Sequence, residues 1–91
     1  MTVEMGAPES DDAAAMRRAQ AGDEFAFEEI ITRHSGRLYG LALYLCGQPS
    51  DAEDILQETL LGAYEALASF ESRSSVKTWL SRILVRQAAR H

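Results

Sequence analysis

The chain of 91 residues contains one cysteine, two prolines and no long apolar run. The low cysteine content and the absence of a long apolar run exclude several classes of protein. Cys46 has no partner for an internal disulfide, which fits a protein of the reducing cytoplasm. No apolar stretch approaches the roughly 20 residues that cross a membrane as a helix, so we expect no membrane role. The first twelve residues carry acids and lack the apolar centre of a signal peptide, which argues against export.

Motifs for catalysis and for cofactor binding are also missing from the sequence. There is no glycine-rich phosphate loop, no nucleophile motif and no paired cysteine. Cys46, His34 and His91 do not follow a metal-ligand spacing, and His34 stands in an apolar row, which favours a packed core residue. The sequence therefore predicts neither an enzyme nor a cofactor. A metal or redox sensor built on these three residues is a distant alternative.

The residues that are abundant favour helices. Ala, Leu, Glu and Arg dominate, β-branched residues are few, and apolar residues recur at every third or fourth position. We therefore predict an all-α fold without strands: a compact bundle of three main helices plus a short N-terminal helix. Residues 1–10 are predicted to be a disordered lead-in, and residues 11–91 to form a single helical domain.

Capping residues set the expected limits of the first two helices. Ser10 is a candidate cap for a short helix that runs to about Gln20, with Asp12 in its first turn beside the positive end of the helix dipole. Asp23 is a candidate cap for the longest helix, which is expected to run to about Leu45. That helix has an apolar row formed by Phe27, Ile30, Ile31, His34, Leu38, Leu41 and Leu45.

The last two helices are delimited in the same way. Gly47 suits the end of the second helix, and Ser50 with Glu53 forms a capping box for a third helix that reaches about Ser69. Its predicted core row is Leu56, Leu60, Ala63 and Leu67. After a polar loop, a serine caps a fourth helix, whose predicted inward face is Val76, Leu80, Ile83, Leu84 and Gln87.

Charge is segregated between these last two helices, and the net charge of -5 conceals it. Every charged residue of the third-helix region is acidic: Asp51, Glu53, Asp54, Glu58, Glu65 and Glu71. Every charged residue of the segment after it is basic: Arg73, Lys77, Arg82, Arg86 and Arg90. Two surfaces of opposite sign suggest two different partners.

The acidic surface has two interpretations. It is either an ordinary solvated helix face or a docking face for a basic partner. No lysine or arginine is interleaved at i+4, so the pairing that stabilises an exposed helix is missing, and Asp54 and Glu58 repel each other. The pattern alone leaves the two interpretations open.

The basic surface has two interpretations as well. Arg82, Arg86 and Arg90 follow one another at i+4 and share a flank of the fourth helix with Trp79. Arginines beside an aromatic side chain suit phosphates and unstacked bases. Alternatively, the arginines pair with acids of the third helix and the tryptophan belongs to the core. In that case the domain is a helical protein-interaction module without a DNA role.

Two runs at this separation resemble region two of bacterial sigma factors of the extracytoplasmic-function group. They are Asp51–Thr59 (DAEDILQET) and Thr78–Ile83 (TWLSRI), with Phe70 and a short polar loop between them. The likeness covers about residues 25–90. Either run alone would be a weak signal, but together they are specific.

The resemblance implies a transcription-initiation module with two kinds of contact. Its third helix would dock on core RNA polymerase, at the clamp coiled coil of the largest subunit, through Asp51, Asp54, Gln57 and Glu58. Its loop and fourth helix would recognise and help to melt the promoter minus-ten element as single-stranded non-template DNA. The DNA-binding residues implied are Glu71, Ser72, Arg73, Ser74, Ser75, Lys77, Trp79, Arg82, Arg86 and Arg90. An anti-sigma factor is a further implied partner.

Two departures from the family pattern affect these expectations. Sigma factors of this group often have an asparagine where this chain has Arg86, which leaves the base preference open. A full factor also has a linker and a second helical domain for the minus-thirty-five element. Because the sequence ends at His91 within the fourth predicted helix, we expect this chain to be a region-two domain without that second domain.

Overall fold

The computed structural model describes the backbone of residues 8–91 and the side chains of residues 11–91. These residues form four α-helices and one short 3-10 helix, without a strand. The α-helices are α1 (Pro8–Gln20), α2 (Glu24–Cys46), α3 (Pro49–Glu65) and α4 (Val76–Arg90), and the 3-10 helix is Leu67–Ser69. This architecture confirms the predicted all-α bundle of three main helices with a shorter one in front.

The start of α1 differs from the prediction. The helix begins at Pro8, so Ser10 lies inside it and is not its cap. A proline fits the first turn of a helix because its fixed φ is helical and no intrahelical partner is needed for its nitrogen. Of the lead-in that was predicted to be disordered, residues 8–10 are helical, and residues 1–7 lie outside the described part of the chain.

Three helix limits that rest on local capping are confirmed. The Asp23 side chain accepts the amide N–H of Ala26 at 3.2 Å, at the start of α2. Gly47 ends that helix with φ 76°, in the left-handed region that favours glycine. The Ser75 hydroxyl accepts the amide N–H of Thr78 at 3.1 Å and caps α4.

The capping box predicted for α3 is wrong. The helix begins at Pro49, and Gln48 precedes it without a side-chain capping bond, so Ser50 is already inside the first turn. The helix also ends at Glu65, before the predicted Ser69, and the chain continues through the 3-10 helix. Such tighter turns are frequent at the ends of α-helices.

The predicted core row of α3 is off by about one position around the helix. The buried residues are Ala52, Ile55, Thr59 and Ala63, so Ala63 is buried as predicted, whereas the predicted Leu56, Leu60 and Leu67 are only half-buried. The Thr59 hydroxyl donates to the carbonyl oxygen of Ile55 at 2.7 Å, so its burial leaves no donor unpaired. Because α3 packs against both α2 and α4, Ile55 and three smaller side chains take the centre of its inward face and the leucines line its edges.

The core residues predicted for α2 and α4 are mostly confirmed. In α2, Ile30, His34 and Leu38 are buried as predicted, but Leu45 is 45% exposed. In α4 the buried residues are Val76, Leu80 and Leu84, with the predicted Ile83 and Gln87 half-buried. No helix in the described part of the chain is long and apolar enough to span a membrane.

Asp12 fastens α1 to α2, which the sequence did not predict. Its carboxylate is 1% exposed and accepts hydrogen bonds from Arg33 and from His34 Nε2, the latter at 2.7 Å. Arg33 also pairs with Glu29 at 2.8 Å. The hydrogen bond to Asp12, followed by the attraction of both carboxylates, raises the pKa of Arg33 above its ordinary value despite partial burial. Asp12 is therefore a buried anchor between α1 and α2.

Candidate functional site

The exposed side of α3 carries acids that have no basic partner. Asp54, Gln57 and Glu58 are all exposed, and the two acids lie one helical turn apart. No basic side chain of the described residues lies within ion-pairing distance of Asp54 or Glu58. Their mutual repulsion is therefore uncompensated within the described part of the chain.

Asp51 stands apart from this group. It is half-buried, and one of its carboxylate oxygens lies 3.3 Å from His91 Nε2. Atoms that could bind a metal ion, namely a carboxylate oxygen of Asp51, one of Asp54 and a ring nitrogen of His91, lie within 4.8 Å of one another. The contact between Asp51 and His91 already explains why these two side chains are close. We therefore interpret the three residues as a contact at the protein surface and not as a metal site.

The basic flank of α4 is also without internal partners. Arg82, Arg86 and Arg90 are exposed, and none forms a salt bridge with an acid of the described residues. A shallow groove of about 420 Å³ runs along this side, lined by Lys77, Thr78, Ser81, Arg82, Val85 and Arg86. The alternative in which these arginines pair with the acids of α3 is thus wrong for the described side chains.

Trp79 lies between this flank and the loop. It is half-buried, and its ring packs edge-on against Phe70 with centroids 5.1 Å apart and an interplanar angle of 64°. Edge-to-face aromatic pairs contribute about 0.5–1.5 kcal/mol beyond the burial of their area. Trp79 therefore combines a place beside the arginines with a structural contact that fixes the first residue of the loop.

The loop of residues 70–75 borders a cavity next to these groups. The cavity has a volume of about 460 Å³ and is lined by Ala13, Phe70, Ser72, Arg73, Ser74, Ser75 and Val76. It joins an aromatic wall to hydroxyl groups and a guanidinium, and its size lies within the range of small-molecule sites. Such a lining can hold a flat heteroaromatic ring and offer hydrogen bonds to its edge.

The loop holds one residue in an unusual conformation. Ser72 has φ 56°, in the left-handed region that is uncommon for residues other than glycine. Beside it, Glu71 and Arg73 form a salt bridge of 3.1 Å, with both side chains largely exposed. Strained backbone of this kind persists where neighbouring contacts hold it, and it clusters at binding sites.

The sequence interpretation missed two contributors to this site, and both lie in α1. Ala13 forms part of the cavity wall. The Gln20 side-chain amide donates to the carbonyl oxygens of Leu67 and Phe70 at 3.0 Å each. These contacts span about fifty residues of sequence, so no local pattern could have shown them.

The model of one protein family, sigma-70 region 2, matches residues 30–91. This match covers more than half of the chain and includes α3, the loop and α4. The chain belongs to the sigma-70 region 2 family. The resemblance predicted from the two sequence runs is thereby confirmed.

Curated relatives support the assignment to sigma-70 region 2. The chain is 36% identical over 80 residues to the ECF RNA polymerase sigma factor SigM of Mycobacterium tuberculosis, and 43% identical over 75 residues to the RNA polymerase sigma factor NccH of Alcaligenes xylosoxydans. The alignments cover 88% and 81% of this chain, but 41% and 40% of the relatives. The chain thus spans about two-fifths of the length of these relatives.

A solved structure shares the fold of this sigma-70 region 2 domain. It is an NMR structure of an engineered region 2 of sigmaE in complex with GTAAAA, and it superposes with a TM-score of 0.81 at 31% identity. The superposition covers 94% of this chain and 88% of that one. Because it extends well beyond the family match, the solved domain shares α1 as well as the helices that carry the candidate surfaces.

Proposed function

We propose that this domain docks on core RNA polymerase, recognises the promoter minus-ten element as single-stranded non-template DNA and helps to melt it during transcription initiation. The observation that carries the proposal is the position of the loop cavity next to Arg82, Arg86 and Arg90 of α4, which form no salt bridge within the described part of the chain. Membership of the sigma-70 region 2 family supports it. So does the similarity to a sigmaE region 2 that was solved with the strand GTAAAA.

The DNA contact divides into two kinds of interaction. Lys77, Arg82, Arg86 and Arg90 neutralise phosphates, which positions the strand but carries little sequence information. The cavity lined by Ala13, Phe70 and residues 72–76 receives one unstacked base, whose edge meets the loop hydroxyls and Arg73. Specificity therefore comes from the loop, and general affinity comes from α4.

The energetics favour a melted strand over a duplex. Stacking of a base on an aromatic side chain is worth about 1–3 kcal/mol. A base can gain this energy only after it has left the duplex stack. Phe70 supplies an aromatic wall inside the cavity, and Trp79 packs directly behind it. Because the net charge of the chain is -5, the isolated domain is expected to bind DNA weakly and polymerase to supply much of the remaining attraction.

The acidic side of α3 is the proposed docking face for polymerase. Asp54 and Glu58 have no basic partner among the described residues, so a basic helical element such as the clamp coiled coil of the largest subunit would relieve their repulsion. Complementary charge mainly accelerates association and makes binding sensitive to salt.

An anti-sigma factor is the third proposed partner, and it would silence the domain by covering either of the two surfaces. From these proposed partners we infer a cytoplasmic location, and none of the proposed contacts involves catalysis.

A binding experiment with core polymerase tests the proposal. The domain is first captured with core polymerase, and fluorescence anisotropy then measures binding of GTAAAA, a scrambled strand of the same composition and a duplex that contains GTAAAA. We expect the matched strand to bind more tightly than the scrambled strand and the duplex. Equal binding of all three DNAs, with polymerase bound normally, would favour a protein-interaction module without a DNA role.

A further inference from the structure

One side-chain nitrogen joins the end of α1 to the segment that enters the loop. Gln20 Nε2 donates to the carbonyl oxygen of Leu67 and to that of Phe70, both at 3.0 Å. Leu67 opens the 3-10 helix, and Phe70 is the first residue after it. The two hydrogen bonds therefore bridge this turn and fix the point from which the loop departs.

The donor is itself held in place by the anchoring of α1. Asp12 is buried and accepts hydrogen bonds from Arg33 and His34 of α2. Met16 and Ala19 of α1 are also buried in the common core. Asp12, Met16 and Ala19 therefore hold α1 against the core, Gln20 extends its exposed side chain from the last residue of this helix, and Ala13 on the same helix forms a wall of the cavity.

The loop between its two ends is thus constrained from several sides. At its start, Gln20 holds the Phe70 carbonyl while Trp79 packs against the Phe70 ring. At its end, Ser75 caps α4. The left-handed Ser72 lies between these fixed points. A change in where the Phe70 backbone sits would alter the shape of the cavity, although Gln20 does not line it.

We propose that Gln20 is a positioning residue for base recognition, so that α1 is part of the promoter-reading unit although the family model matches only residues 30–91. The proposal rests on the function proposed above, because it takes the loop to be the base-reading element. Gln20 acts through the backbone of Leu67 and Phe70, which sets the opening of the cavity. It makes no contact with the base itself.

Three variants separate this role from a general effect on stability. Gln20→Glu keeps the size of the side chain but replaces the donor with an oxygen that faces two carbonyl oxygens. Gln20→Lys restores donors at this position. Gln48→Glu is the matched control, since Gln48 is exposed and its side chain makes no capping bond.

The first measurement needs no DNA. Amide hydrogen exchange of Ser69 and Phe70, whose amides donate to the carbonyl oxygens of Ala66 and Leu67, is followed in the free 91-residue chain, with α2 as the internal reference. We expect faster exchange of these two amides in Gln20→Glu, unchanged exchange in α2, and exchange like that of the parent in Gln20→Lys and Gln48→Glu. Exchange of the two amides in Gln20→Glu equal to that of the parent would overturn the proposal. If Gln20→Glu does not fold, Gln20→Ala takes its place under the same criteria.

The second measurement is base discrimination with polymerase bound, using the matched strand and strands that carry single-base changes. Loss of two hydrogen bonds should reduce the discrimination ratio of Gln20→Glu about threefold to tenfold at one base position, with recovery in Gln20→Lys. A ratio equal to that of the parent would also overturn the proposal. Absence of discrimination in the parent would instead refute the proposed function, and the exchange measurement alone would then decide the role of Gln20.

Discussion

The carboxylate of Asp12 lies 2.7 Å from Nε2 of His34, and both side chains are almost completely buried. The other oxygen of this carboxylate meets Arg33. The opposite ring nitrogen of His34 is buried without a hydrogen-bond partner among the described residues. The buried part of the polar contact between α1 and α2 thus depends on one carboxylate that serves two donors, while Arg18 and Glu29 add an exposed ion pair at 3.3 Å.

Replacing Asp12 should therefore destabilise the whole domain. In Asp12→Asn the side chain keeps its shape, but it loses its charge and places an amide group where one of the two donors approaches. Hydrogen bonds between charged groups typically contribute about 1.5–3 kcal/mol, and Arg33 stays partly exposed and paired with Glu29 when Asp12 is replaced. Denaturant unfolding followed by circular dichroism would measure the loss. Asp11→Asn, at the exposed neighbouring position, should change the stability by less than about 0.5 kcal/mol. Equal stability of the two variants would contradict the anchoring role of Asp12.

The contribution of Arg33 should not depend on pH near neutrality. Its folded-state pKa is raised above the ordinary arginine value. Its stabilising effect is thus fully present below the unfolded pKa and is lost only as the pH rises through the folded pKa, far in the alkaline range. We expect the difference in unfolding free energy between the parent and Arg33→Gln to be about 1.5–3 kcal/mol and constant from about pH 8 to pH 10. A difference that shrinks across this range would contradict the assignment.

Reversing the charges on α3 should weaken polymerase binding without unfolding the domain. In Asp54→Lys with Glu58→Lys, two exposed acids become bases, and the attraction to a basic partner becomes repulsion. We expect a slower association and a smaller effect of salt on the affinity. Glu24→Lys with Glu28→Lys is the matched control, because it makes the same change in charge one turn apart on α2. Pull-down of core polymerase and helical content by circular dichroism give the two readouts. Equal capture of both double variants would remove α3 as the docking face.

The parts of the fold that could be predicted are those that depend on near neighbours in sequence. Asp23, Gly47 and Ser75 each act within a few residues, so their capping roles were visible in the sequence. The orientation of α3 was not visible, because it depends on packing against two helices at once. Gly62 illustrates this point: a Cβ there would lie 3.4 Å from Ile83 Cγ2, so α3 and α4 approach closely at that turn.

The candidate site likewise contains residues that local sequence predicts and residues that only the fold brings together. The acids of α3 and the arginines of α4 are sequence features, since charges at i+4 on a helix share a face whatever packs behind them. Gln20 and Asp12 act on residues that are 47 and 22 positions away, so only the fold reveals their partners. The left-handed backbone of Ser72 also had no local signal, because serine is not a residue that demands this conformation.

Removing arginines from α4 should lower DNA affinity without changing base preference. Arg82→Ala with Arg86→Ala deletes two exposed guanidinium groups from the groove along α4. We expect weaker binding of every strand, and a slope of affinity against salt that is smaller by about one for each phosphate that is no longer neutralised. Arg17→Ala with Arg37→Ala is the control, since both residues are exposed on other helices. A change in preference between matched and scrambled strands would mean that these arginines read bases.

A change in the loop should lower base discrimination and leave the salt dependence of DNA binding unchanged, which is the reverse of the result expected for the arginines of α4. In Ser72→Val a β-branched residue replaces serine at φ 56°, and the left-handed region costs such a residue about 1–2 kcal/mol. The loop would relax away from this conformation and change the shape of the cavity that it lines, while α2, α3 and α4 remain folded.

Ser72→Asn is the control, because asparagine tolerates left-handed backbone and keeps a polar side chain. Anisotropy with the polymerase-bound domain should show discrimination between matched and scrambled strands falling in Ser72→Val and persisting in Ser72→Asn. The salt dependence should stay that of the parent, because every arginine of α4 is retained. Undiminished discrimination in Ser72→Val would mean that the base is read away from this cavity, along the groove of α4.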